Sequence, residues 1–141
     1  MPKRLSQIEL IVFGYVAYFT MTLFFAPELF KNERTNLYDA LLLLVPSQNT
    51  WELVGSFIVS LYIVLFFYRQ HLFAMIVNGI GGAFMTLICV TYLFTYPNIG
   101  SGIFLFVSFG CFAQIYAISN EYENKKAEKM KKDNKLNNHN K

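Results

Sequence analysis

The stretch that decides the fold runs from Gln70 to Asn120: QHLFAMIVNGIGGAFMTLICVTYLFTYPNIGSGIFLFVSFGCFAQIYAISN, 51 residues without one Asp, Glu, Lys or Arg. As a single helix it would extend about 76 Å, more than twice the hydrocarbon thickness of a bilayer. It must therefore turn. Tyr96-Pro97-Asn98-Ile99-Gly100-Ser101-Gly102 supplies the punctuation, because proline lacks a backbone donor and glycine permits unusual backbone angles. Two membrane spans follow, at about 72–96 and 99–119.

Working outward, Leu10–Ala26 is uncharged and closed by Pro27-Glu28, giving a first span at about 8–27. Leu53–Tyr68 lies between Glu52 and Arg69 and gives a second at about 50–68. Trp51, Tyr68, Arg69 and Tyr96 sit at span ends, where amphipathic side chains anchor in headgroups. The turns at Tyr68–His71 and Tyr96–Gly102 are tight, so spans two, three and four should be antiparallel neighbours. Leu37–Val45 is apolar but too short to cross, interrupted by Asp39 and closed by Pro46. Residues 36–46 read either as an interfacial or re-entrant helix capped by Thr35 or Asn36, or as an extension of span two kinked at Pro46.

Composition agrees. The 141 residues are 55% hydrophobic and only 15% charged, against about 25% charged in an average soluble domain. Eleven of the last 21 residues are charged, and residues 1–120 hold five basic and five acidic groups, so the net charge of +3 resides in the tail. The expected fold class is all-α: an integral membrane protein with four transmembrane helices in an antiparallel bundle, a short interfacial helix and a charged C-terminal tail at 121–141.

Lys3, Arg4, Arg69 and seven tail lysines fall on one side of this topology, and only Lys31 and Arg34 on the other. By the positive-inside rule both termini are cytoplasmic, in a cell membrane. Span one is long for a signal-peptide core and lacks an Ala-x-Ala site, so it reads as a retained anchor. In the tail, Glu121/Lys125 and Glu128/Lys132 are i,i+4 pairs that favour helix in its first half, and its last residues read as disordered. Lys125, Lys126, Lys129, Lys131 and Lys132 either serve topology and solubility or attract anionic lipid headgroups. A basic tail of this kind points to lipid and not to nucleic acid.

Polar groups inside a membrane are the best pointers to function. Glu9, Glu28 and Glu52 read as boundary residues within a turn of an interface, which argues against proton coupling through a buried carboxylate. Asn78 and Gln114 lie about 8–9 Å in from the same side, close enough to hydrogen-bond across the hairpin. Small residues surround them: Asn78, Gly82, Met85 and Cys89 form one stripe with Gly79 and Ala83 beside it, and Gly110, Gln114 and Ala117 form another, as does Ser56-xxx-Ser60 in span two. Such stripes let helices approach closely, for packing within the chain, for self-association, or for a polar lining. Cys89 and Cys111 differ in depth by about 13 Å, too far for a disulfide, and read as small apolar residues.

Enzymatic signatures are absent: the sequence has no HExxH, GxSxG, P-loop or dinucleotide fingerprint, and its histidines are His71 in a turn and His139 in the tail. No cofactor or metal ligand set is legible, and the chain reads as non-enzymatic. In size and span number it resembles small multidrug transporters in gross shape, although their key carboxylate lies within the first span and Glu9 stands at its edge. In size and lysine-rich tail it resembles phage holins, and its Lys, Asn, Ile, Phe and Tyr content suits an AT-rich bacterial or phage source. Three readings follow: a protein acting through helix–helix contacts with itself or another membrane protein, a holin-like protein that permeabilises the membrane, or a small transporter or lipid flippase. The last needs a polar cavity.

Overall fold

A computed structural model describes residues 5–26, 29, 36–95 and 99–139, with 36–38, 99 and 133–139 described by their backbone alone. Tyr96, like Lys3, Arg4 and the Tyr96–Asn98 part of the last turn, lies outside the described residues. The described chain is all-helical. Among the described residues, five helices with defined bounds follow one another: α1 Gln7–Phe25, α2 Asn36–Leu44, α3 Gln48–Phe67, α4 His71–Thr95 and α5 Ile99–His139. Four of them, α1, α3, α4 and α5, are long and apolar enough to cross a membrane.

Local chemistry sets the boundaries. Ser6 caps α1 through a capping box: its Oγ accepts from Glu9 N at 3.3 Å, and its own N–H donates to Glu9 Oε2 at 2.7 Å. At the other end the Gln48 amide donates to the carbonyls of Leu23 and Ala26, each at 3.1 Å. A side chain from α3 thus helps to satisfy the acceptors at the end of α1, where Ala26 O also accepts from Leu29 N at 3.0 Å. α2 is a separate helix. Its register breaks at Val45-Pro46-Ser47, where proline cannot donate and disfavours helical geometry in the residue before it. α5 runs without interruption to His139, past the first half of the tail to which the i,i+4 pairs alone would carry it.

The most extensive packing joins α4 to α5, followed by α1 with α3; α2 lies against α4. Glycines make these approaches possible. A Cβ at Gly55 would strike Thr20 of α1, one at Gly81 the Tyr62 hydroxyl, and one at Gly82 would stand 3.0 Å from Cys111 Cβ. Between α4 and α5, Ser108 Oγ donates to Gly82 O at 3.1 Å and lies 2.6 Å from Thr86 Oγ1, while Cys89 Sγ reaches Ser101 O at 3.3 Å. The common core contains Val12, Val16, Tyr62, Leu65, Val77, Met85 and Ile88. Outward-facing residues are as apolar as inward ones. Phe94 is 86% exposed, and Phe25, Phe67 and Phe106 are similarly bare, a surface suited to lipid and far larger than a water-soluble monomer tolerates.

Candidate functional site

Two buried polar residues, Glu9 and Asn78, meet one another, and here the structure departs most from the sequence reading. Glu9 is 0% exposed, not a boundary residue open to water. Arg69, 17% exposed at the start of the α3–α4 connection, forks onto its carboxylate with Nη1–Oε2 at 2.9 Å and Nη2–Oε1 at 3.2 Å. Asn78 Nδ2 donates to Glu9 Oε1 at 2.9 Å and to Ala74 O at 2.8 Å. With the Ser6 amide, four N–H groups from three segments surround one carboxylate. Burying a charge is costly unless it is paired and hydrogen-bonded, and this one is both. Asn78 Oδ1 and Tyr62 Oη are buried without a hydrogen-bond partner among the described residues, so the interior beside the carboxylate is polar.

Asn78 therefore turns to α1, and the expected bond across the hairpin to Gln114 does not form. Gln114 instead lines a cavity of about 400 Å³ together with Arg69, His71, Ala74, Ala117, Ile118 and Glu121. Arg69 belongs to both features, so the ion pair forms part of the cavity's surroundings. His71 rests against the Tyr122 ring at 5.7 Å, and Glu121 accepts from Lys125 Nζ at 2.6 Å. A second cavity, of about 290 Å³, lies toward the opposite end of α1 and is lined by aromatic and aliphatic groups including Tyr15, Phe19, Leu41, Tyr92 and Phe104. Along α4 the two are about 21 Å apart, from Ala74 to Ile88.

The stripe residues divide. Gly82 faces Cys111 and Phe112, Gly110 packs on Ile8 of α1, and Gly79 touches Ile115. Ala83 and Ala117 are exposed, as are Ser56 and Ser60. Of the span-end residues, Trp51 is 2% exposed, donates from Nε1 to Leu41 O at 3.2 Å and meets Phe19 and Phe84 edge-on. It is a core residue that holds α2, not a side chain presented to headgroups. Tyr68 is exposed, and its hydroxyl accepts from Gln70. Lys125, Lys126, Lys129, Lys131 and Lys132 are exposed along α5.

Comparison with known proteins finds no family model, no curated protein and no solved structure that matches the chain.

Proposed function

We propose that this is a non-enzymatic integral membrane protein that binds an amphipathic ligand by its polar part and moves it through the membrane, as a small transporter or lipid flippase. The observation that carries the reading is the cavity of about 400 Å³ with Arg69, His71, Gln114 and Glu121 on its walls. Ligand cavities typically fall at about 300–1,000 Å³ and combine apolar walls with a few placed polar groups. The buried Glu9–Arg69–Asn78 network fixes the position of the guanidinium beside it, and the aromatic cavity offers an apolar station toward the other end.

The proposed setting is a cell membrane with both termini cytoplasmic and the four spans alternating in direction. The bias of Lys and Arg supports it. For α4 and α5 the opposite direction is supported by their contacts, which pair Gly82 with Cys111, Thr86 with Ser108 and Cys89 with Ser101. The partner numbers fall as the α4 numbers rise.

Gly82 and Gly110 are engaged within the chain, which removes support for a holin-like lesion assembled through them. Exposed Ala83 favours a second reading, contact with itself or another membrane protein through the outer face of α4. Under that reading Ala83→Leu weakens crosslinking to the partner and leaves ligand binding intact.

The test is translocation of fluorescent phospholipid in proteoliposomes, read by dithionite quenching of the outer leaflet. Quenching beyond the half-signal of empty liposomes supports the proposal. Quenching that stops at that half-signal, with correctly folded protein in the vesicles, overturns it.

A further inference from the structure

The second cavity, of about 290 Å³, is walled largely by rings. Tyr15, Tyr18 and Phe19 of α1, Tyr92 of α4 and Phe104 of α5 are five of its eleven lining residues, although aromatics make up only 18% of the chain. Aliphatic side chains would fill such a place equally well, so the concentration of rings bears on what the cavity holds. Tyr15 and Phe104 meet at 5.0 Å and 65°, and Tyr92 and Phe104 at 5.2 Å and 34°. The three rings, from three helices, are thus inclined to one another instead of stacked. None of the five aromatic residues is fully buried, and ring faces attract cations through their quadrupole.

Helix ends add to that attraction. Leu23, Leu41 and Tyr92, all on the lining, stand in the last turns of α1, α2 and α4, each the negative pole of its helix. Gln48 and Trp51 draw on carbonyls at two of those ends without reversing the polarity. The lining threonines, Thr22 and Thr91, donate to carbonyls of their own helices, and no carboxylate is among the described lining residues. A primary ammonium, with three N–H donors and no carboxylate to take them, would be costly here. A quaternary ammonium has no donor to satisfy. Tyr18, 72% exposed and about 10 Å in from the end of α1, puts the rim of the cavity on the lipid-facing surface, so its ligand arrives from the bilayer. We propose that this cavity holds the trimethylammonium group of a choline-bearing lipid. The inference rests on the ligand-binding reading above and names the group held at its second station.

The experiment is isothermal titration calorimetry of the full chain in maltoside detergent, with choline and with dimethylbutanol, its neutral isostere that carries carbon in place of nitrogen. Choline should bind about tenfold tighter, within the range of a desolvated cation–π contact. Phe104→Leu should remove about tenfold of choline affinity and leave the alcohol unchanged. If that variant does not fold, difluorination of the Phe104 ring keeps its shape, drains its face of electron density and should weaken choline about threefold. Native mass spectrometry from nanodiscs holding equal phosphatidylcholine and phosphatidylethanolamine should show phosphatidylcholine retained in preference. Equal binding of the two compounds, no binding of choline, or a choline preference unchanged by altering Phe104 overturns the inference. A choline preference without a lipid preference overturns the lipid source. Translocation is read separately: lipid that crosses while choline and the alcohol bind equally sinks this inference alone, and choline bound in preference without any lipid crossing sinks the transport reading alone.

Discussion

Arg69 closes on Glu9 through two N–H···O bonds, at 2.9 and 3.2 Å, between residues 60 apart in the sequence. The contact joins the start of α1 to the connection between α3 and α4, and Asn78 adds α4 to it.

Removing one partner should cost more than removing both. Arg69→Gln leaves a buried carboxylate without its cation and should destabilise the fold by about 3 kcal/mol. Glu9→Gln combined with Arg69→Gln should recover more than half of that loss. Thermal unfolding in detergent across the double-mutant cycle measures the coupling, and additive losses would show that the pair contributes no specific interaction.

Gly82→Leu should lower stability by about 1–3 kcal/mol, because its side chain must push α5 away at Cys111. Gly14, with nothing within 4 Å of a Cβ placed there, is the control. Gly14→Ala should be neutral or stabilising by up to about 1 kcal/mol. Melting midpoints of the two variants decide it.

Trp51→Phe keeps an aromatic ring against Phe19 and Phe84 but loses the indole donor to Leu41 O. The cost should be about 1 kcal/mol, confined to the docking of α2. Hydrogen exchange should accelerate in Asn36–Leu44 and stay unchanged in α4; equal acceleration in both would contradict a local role.

Cys89 and Cys111 are both buried. Maleimide should label neither until the chain is unfolded, and a thiol oxidant should form no bridge between them, since Cys111 is level with Gly82, two turns of α4 away from Cys89. Rapid labelling of the folded chain would place one of them at the surface.

The four apolar helices were legible because each rests on a long uncharged run, a signal carried by neighbouring residues. The polar network was not, because its partners come from three separate segments. Glu9 reads locally as a capping-box residue at a helix start, and it is one; nothing within a turn of it points to Arg69. Trp51 misled for a related reason. Its place at a span end suits an interfacial anchor, and only the neighbouring short helix, with Leu41 O offered as acceptor, draws it inward. Gln114 was recognisable as polar inside an apolar run, but its surroundings depend on how α5 passes the start of α4.

The unbroken course of α5 has a mechanical consequence. The 19 residues after Asn120 that continue as helix project about 28 Å. A rigid rod of that length works as a lever whose fulcrum is the close α4–α5 contact at Gly82. From Cys111, the α5 residue at that contact, the arm to His139 is about 42 Å, so a tilt of about 10° would swing the far end by about 7 Å, converting a small adjustment around an occupied cavity into a displacement of the lysine-bearing arm.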